Sequence, residues 1–405
     1  MCDEKVKEWL RLAMENEDIV NYAVNIHGEG NKDDGYLSKF LLVTATGKTK
    51  NGKEKFLNLA LKLCPTSNIL RKQIPIRKAF EKEIYIYSHV RQTFYHFQQE
   101  KGVKDLIDFI PHCYDTQMTN TEELLIFENV KYQNYSLWNR NTPMTHDHIK
   151  LILEAYGKWH ALSLALKVER PECFQKLTED NVNMYSYFIE KVKMFDVFVE
   201  SFTKARDGAI FPSDEEILKK LQFSKDQIKY ILTDLFYENP VYQVILHGDG
   251  WNNNFMFMAE NVTKKPSKVF VIDWQCSGLG SPVIDLSYLI YSCCDTGMYK
   301  DVEELLKIYY NSLSKSLNLL GCDSHRIFAY GKLMQHWKKF SCFGLVVSTF
   351  ILKLSLCSTE EAPDLAEAAE QGKEFLENYN FDVKDQETYF KRVRDNFVHY
   401  IENLN

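Results

Sequence analysis

The sequence lacks the features that mark a secreted scaffold, a membrane span or a nucleic-acid binder. Its ten cysteines include no pair at CxxC spacing, and Cys293-Cys294 is the only close pair. That usage excludes a disulfide framework and points to small buried thiols in a reducing compartment. Positive charge is not in excess: 49 Lys and Arg against 56 Asp and Glu leave a net charge of −7. A DNA or RNA binder would show a basic face, so no nucleic-acid partner is expected. The opening stretch MCDEKVKEWLRLAMENEDI is charged throughout and lacks the apolar core of a signal peptide. No glycine follows the first Met, and the final ENLN is no prenylation box. The most apolar run, Phe340 to Leu356, approaches the length of a membrane span but contains Lys353, Ser341, Ser348, Thr349 and Ser355. It predicts a buried core helix, no membrane association and a cytoplasmic protein. No internal repeat or low-complexity tract is present.

What is there suits an ordinary globular chain. At 405 residues, 45% hydrophobic and 14% aromatic, it is long enough and apolar enough for two lobes around a cleft. Residues Phe40 to Ala45 and Phe56 to Leu63 read as strands joined by the turn-rich TGKTKNGKEK. A helix over Ile76 to Val90 and a short strand over Leu124 to Phe127 follow. Beyond Val130 the pattern turns helical. Thr145 is placed to cap a helix in which Ile149, Ile152, Tyr156, Trp159, Ser163 and Leu166 recur at helical spacing. The expected fold class is α+β with two lobes: a small α/β lobe over 1–130, a hinge within 124–131 near Glu128, and a larger, mostly helical lobe over 131–405. Between its helical stretches sits one strand-rich island, Tyr242 to Trp274.

That island carries the chemistry. In VYQVILHGDGWNNNFMF, the strand Gln243 to Leu246 delivers His247-Gly248-Asp249 to a loop, and Phe255 to Met258 forms a second strand. The polar turn AENVTKKPSK leads to a third, Val269 to Ile272. An antiparallel hairpin of the last two would bring Asn254 beside Asp273. A carboxylate and an amide oxygen side by side can hold one hard cation, with phosphate and water oxygens completing its shell. Asp249, five residues before Asn254, is placed to accept the proton of an attacking hydroxyl. These are the parts of phosphoryl transfer, predicting ATP and Mg²⁺ as cofactors and a small-molecule hydroxyl as acceptor. A lone HGD or IDW would say nothing; the joint spacing carries the reading. His247 reads as a strut under the loop. Asp285, in SPVIDLSYLI, reads as a structural cap or brace, with a metal role as the alternative.

On the smaller lobe, the strand FLNLALKL alternates Leu57, Leu59, Leu61 and Leu63 on one face with Asn58, Ala60 and Lys62 on the other. Lys62 is the candidate phosphate-holding lysine, and small Ala60 leaves room for a flat base. In FEKEIYIY, Phe80, Ile84 and Tyr87 form an apolar stripe, and Glu83 adjoins it as the partner for Lys62, with Glu81 competing. The stretch HGEGNKDDGYLSKF offers Gly28, Gly30, Gly35 and the Ser38 hydroxyl as a phosphate-covering loop, without Walker spacing. LLIFENVK reads as a hinge against the base edge, with Glu128 as a boundary residue.

Taken together, these segments resemble the ecdysteroid kinase-like family of arthropod small-molecule kinases, relatives of choline and aminoglycoside kinases. The resemblance rests on Phe80–Glu83, LLIFENV, GKWHALSLAL with His160, HGDGWNNNFMF with Trp251, and VIDWQCSGLGSPVIDLSYLI. It implies the protein-kinase-like fold, with Asp249 as catalytic base, Asn254 and Asp273 as magnesium ligands, and Lys62 with Glu83 holding phosphate. It also implies a steroid alcohol of ecdysteroid type, or a foreign phenol or glycoside undergoing detoxification, as acceptor. Gly250 departs from the larger side chain of relatives, which would loosen the loop, and Gly35 stands where relatives carry Asn.

Protein kinases carry a basic residue two positions after the catalytic Asp and a long activation segment. This chain has Trp251 there, and only QCSGLGSP separates Asp273-Trp274 from the next apolar helix. A choline-type kinase and a nucleotide-binding pseudokinase are the alternatives. His146-Asp147-His148 looks like a zinc pair but lies at a helix start without further ligands. The aromatic-rich acceptor-side region within about 170–240 (Tyr185, Tyr187, Phe188, Phe195, Phe198, Phe202) reads mainly as helix packing, with part of it free to line an apolar acceptor pocket. Aromatic walls also suit a quaternary ammonium. The oligomeric state is not legible.

Overall fold

A computed structural model describes residues 3–30, 38–104, 106–179, 183–260, 262–357, 368, 370–373 and 381–403. It has a sheet-rich N-terminal lobe and a mostly helical C-terminal lobe, in agreement with the α+β expectation. The N-terminal lobe begins with a helix that the charge-rich opening hides: α1 (Asp3–Asn16) buries Val6, Trp9, Leu10, Ala13 and Met14. That spacing is one stripe of a helix. It covers the outer face of an antiparallel sheet built from β1 (Ile19–Glu29), β2 (Lys39–Thr49), β3 (Glu54–Leu63), β4 (Cys113–Met118) and β5 (Glu123–Glu128). The strand order is β1-β2-β3-β5-β4. Leu57, Leu59 and Leu61 project into this outer core with α1, which sends the alternate residues of β3 toward the opposite face.

The expected β2–β3 hairpin forms, but its strands run into the segment read as loop. Pairing continues from Lys39↔Leu63 to Lys48↔Glu54, because β1 also pairs with this part of β2 and holds it extended. The helix expected over Ile76 to Val90 also runs further. It comprises α2 (Ile76–Tyr85), a wide π turn over Ile86–Val90, and α3 (Arg91–Glu100). Phe94 packs edge-on against Trp159 at 4.8 Å between ring centroids, so this helix joins the core of the larger lobe.

That core is organised around α4 (His146–Glu169), in which Ile149, Ile152, Tyr156, Trp159, Ser163 and Leu166 are all buried. Thr145 holds the cap position, but its hydroxyl lies 2.6 Å from the His148 ring nitrogen instead of bonding a backbone amide. Helices α5 (Met184–Val192) and α6 (Met194–Ala209) follow. A short antiparallel pair joins β7 (Val244–Leu246) to β10 (Gly278–Gly280). A three-stranded sheet has the order β6 (Tyr135–Leu137), β8 (Phe255–Ala259), β9 (Pro266–Val271). Then come α7 (Pro282–Cys293), α8 (Val302–Leu319), α9 (Cys342–Leu356) and α10 (Gln386–Asn403).

The most apolar run of the sequence becomes α9, buried along nearly its whole length against α7. Among the described residues no single helix is long and apolar enough to cross a membrane. The pair Ser324–Phe340 and Cys342–Leu356 reaches that length together but is bent by 54°. The described cysteines are all free thiols.

Candidate active site

Alternation along β3 turns Ala60 and Lys62 into a cleft between the lobes. Lys62 is 3% exposed, and its Nζ lies 2.6 Å from Glu83 Oε2 and 2.9 Å from Asp273 Oδ1. Of the two candidate glutamates, Glu83 is therefore the partner. Glu81 stays at the surface with Arg77 and Lys78. Glu83 also accepts the backbone N–H of Trp274, tying α2 to the segment that carries Asp273. Burial alone would lower the Lys62 pKa, but Asp273 and Glu83 outweigh it and hold the ammonium charged. Burial pushes Glu83 up to about 7, with Lys62 opposing and Asp273 reinforcing the shift. Two carboxylates thus share one ammonium, and a further cation at Asp273 would relieve the surplus negative charge.

The loop that carries Asp249 leaves β7 through Gly248, whose φ is +84° and whose added Cβ would stand 2.2 Å from the Cys276 carbonyl oxygen. Only glycine fits there. His247 is fully buried. Its Nε2 donates to the Ile272 carbonyl at 2.9 Å, so Nδ1 is the acceptor facing the Tyr156 hydroxyl at 3.2 Å. Burial lowers the ring's pKa and keeps it neutral. It is the strut the sequence indicates.

Asp285 is the brace. Oδ2 accepts from His247 N at 2.8 Å and Oδ1 from Gly248 N at 2.8 Å. His160 Nε2 adds a donor to Oδ2 at 3.1 Å. Gly250, expected to loosen the loop, does not: it is buried, and a Cβ there would meet the Tyr156 hydroxyl at 3.0 Å.

Asp249 stands at the loop's turn, partly exposed by surface area. Oδ2 accepts from Asn254 Nδ2 at 2.8 Å, and the same amide donates to the Asp249 backbone carbonyl at 2.9 Å. Oδ1 accepts from the Tyr288 hydroxyl at 2.7 Å, and the Trp251 side chain is a third donor. Burial first, and Asp273 second, push its pKa up to about 7 against these three hydrogen bonds.

The β8–β9 hairpin forms with Phe255 opposite Val271. Ile272 N donates to Asn254 O at 3.0 Å, which fixes Asn254 at the mouth beside Asp273. Asp273 takes a left-handed φ of 63°, a strained conformation for a non-glycine residue and one that collects at functional sites. Both amide hydrogen bonds of Asn254 come from its nitrogen, leaving its oxygen, and Lys62 engages only Oδ1 of Asp273. An amide oxygen and a carboxylate oxygen fit magnesium, a hard cation that takes few protein ligands alongside phosphate. Among the described residues, no group of three His, Cys, Asp or Glu could hold a metal. His146-Asp147-His148 is a helix start, with His148 wedged between Trp138 and Phe257.

The cleft encloses about 790 Å³ of empty space, open solvent included, lined by Ala60, Lys62, Glu83, Asn254 and Asp273 among others. From β2 it takes Phe40 and Leu42, while Ser38 stands outside the lining. Gly35 lies outside the described residues. Glu128 lines the cleft as a boundary residue: its carboxylate accepts from His112 N at 2.7 Å and from Gln133 Nε2 at 2.5 Å. Of the aromatics expected on the acceptor side, Tyr185, Phe198 and Phe202 are buried in the core, while Tyr187, Phe188 and Phe195 are half-buried.

The residues that sequence reasoning missed are Tyr288 and the bracing role of His160. Their signal was spacing: Tyr288 falls three residues after Asp285, on the same face of α7.

The sequence pattern of the ecdysteroid kinase-like family matches residues 32–322. No curated protein matches the chain. Among solved structures, the GDP complex of aminoglycoside 2'-phosphotransferase-IIIa is similar at 13% identity and a TM-score of 0.38, covering 92% of this chain and 99% of that one. An aminoglycoside-3'-phosphotransferase of type VIII shares 12% identity with a TM-score of 0.29, covering 98% of each chain.

Proposed function

The chain belongs to the ecdysteroid kinase-like family of phosphotransferases acting on small-molecule hydroxyl groups, and from that premise we propose that it transfers the γ-phosphoryl group of ATP to a hydroxyl of a lipophilic small molecule. The observation that carries this reading is the continuous polar chain Glu83–Lys62–Asp273 at the cleft, with Asn254 and Asp249 on the adjoining loop.

Lys62 holds phosphate oxygens once nucleotide enters, with Glu83 fixing its position. Asn254 and Asp273 would hold magnesium, which supplies neutralisation of phosphate charge when bound. Asp249 takes the acceptor's hydroxyl proton, and its elevated pKa suits a group that gains a proton as the new P–O bond forms. The short run from Asp273 through β10 into α7 leaves no platform for a peptide, which favours a small acceptor.

An ecdysteroid-like steroid alcohol, or a foreign phenol or glycoside in detoxification, is the acceptor class we favour. The free thiols favour a reducing compartment, the cytoplasm. The test is mass spectrometry of phosphoryl transfer from Mg-ATP to pooled steroid alcohols, phenols, glycosides and choline. One product heavier by a phosphoryl group is expected from the lipophilic pools. Product from choline alone would replace the acceptor class, and Mg-ATP binding without any product would favour a nucleotide-binding pseudokinase.

A further inference from the structure

We infer that Tyr288 is a positioning residue for Asp249. The inference rests on the reading of Asp249 as the base. Tyr288 is fully buried on α7 and donates its phenolic proton to Asp249 Oδ1 at 2.7 Å. Asp285, three residues earlier on the same helix face, accepts the backbone amides of His247 and Gly248. One face of α7 therefore grips the loop twice, once through its backbone and once through the side chain that reacts.

The phenol is neutral: burial and the neighbouring Asp249 charge both raise its pKa well above the ordinary value. It therefore remains a donor. Tyr288 and Tyr185 on α5 both lie edge-on to Phe343, so the two buried phenols share one ring contact. Tyr185 is itself fixed by rings, stacked on Phe236 at 5.9 Å and edge-on to Phe343 at 5.1 Å. A bare carboxylate turns about its terminal bond. With Tyr288 on Oδ1, Asn254 on Oδ2 and the Trp251 side chain as a third donor, the plane of Asp249 is set. Loss of Tyr288 would free that rotation while leaving the ATP-side groups Lys62, Glu83 and Asp273 in place.

The test compares Tyr288→Phe with Tyr185→Phe, a neighbouring buried phenol, since Phe keeps the ring and the fold. Tyr288→Phe should lower kcat for acceptor phosphorylation roughly 10- to 100-fold, the scale of a misplaced reacting group, with KM for ATP and Tm unchanged. Tyr185→Phe, which removes no hydrogen bond to Asp249, should cost less. Unchanged kcat in Tyr288→Phe, an equal loss in Tyr185→Phe, or a loss of ATP affinity and Tm in place of kcat would overturn the inference. A readout free of turnover separates this from the kinase reading. Proton NMR of the tyrosine hydroxyls should show a slowly exchanging resonance that vanishes in Tyr288→Phe and shifts in Asp249→Asn. Failure of the unaltered protein to transfer phosphate, with that resonance present, sinks the kinase reading alone; absence of the resonance sinks the role of Tyr288.

Discussion

Asp285 and Asp273 are acids of the same segment, and they are built in opposite ways. Asp285 is fully buried and finished: two backbone amides and the His160 ring converge on its oxygens. Asp273 is unfinished. Its side chain keeps 21% of its surface open, its backbone is in the left-handed region, and its cation, Lys62, is shared with Glu83. A carboxylate whose partners are all protein donors braces a loop. One that is left short of positive charge at a cleft is ready for an external cation. The difference between structure and chemistry here is the completeness of coordination and the opening to the cleft, not residue type.

The sharpest break in this comparison is substitution at the two acids. Asp273→Ala should remove magnesium-dependent transfer, about 10³-fold or more given the weight of electrostatic stabilisation, with stability changed by under about 1 kcal/mol as at other functional positions. Activity and urea unfolding on one preparation check both halves. Asp249→Asn should lower kcat about 10²- to 10⁴-fold, the range of general-base catalysis, and leave Mg-ATP affinity by calorimetry intact. Asp285→Asn should show the reverse emphasis. Buried donors lose their acceptor, at about 1–3 kcal/mol, read as a lower urea midpoint, with residual activity tracking the folded fraction. The paired glutamates sharpen the point further: Glu81→Ala should change stability by less than about 0.5 kcal/mol and activity not at all, whereas Glu83→Ala should weaken phosphate binding.

A smaller effect concerns pH. Burial lowers His336 to about 4, with Lys332 and Lys339 adding to it, and burial lowers His399 to about 4. The unfolded chain takes up these protons near pH 6.5. Between pH 6.5 and 4 it binds protons the folded protein refuses, so the contribution of these two rings is full above that window and falls as pH drops through it. Glu83 and Asp249, raised to about 7, take up protons in the folded state and act in the opposite sense. The slope is at most about 1.4 kcal/mol per pH unit for each ring. The check is the difference in urea midpoint between the unaltered protein and His336→Gln, which should widen in favour of the variant as pH falls from 7 to 5.

The parts of this site that were legible in the sequence are those fixed by short-range rules. Two-residue alternation placed Lys62 opposite Leu61, and the hairpin between Phe255 and Val271 followed from apolar runs around a polar turn. The partner of Lys62 stayed open between Glu81 and Glu83 until the packing of α2 settled it. Helix α1 was missed because its charges outnumber the stripe of Val6, Trp9 and Leu10, and only the outer face of the sheet gives that stripe a purpose. β1 was missed because IVNYAVNIHGE mixes polar residues and a glycine into its run and is held extended only by its pairing with β2. Tyr288 reads locally as one more apolar position in SPVIDLSYLI; its role exists only because β7 and α7 meet in space.

The most direct test of the central claim is phosphorus NMR of Mg-ATP incubated with the pooled acceptors and either the unaltered protein or Asp249→Asn. The account predicts loss of the γ-phosphate signal and growth of a phosphate-ester signal with the unaltered protein only. Ester formation at equal rates by both proteins would contradict it.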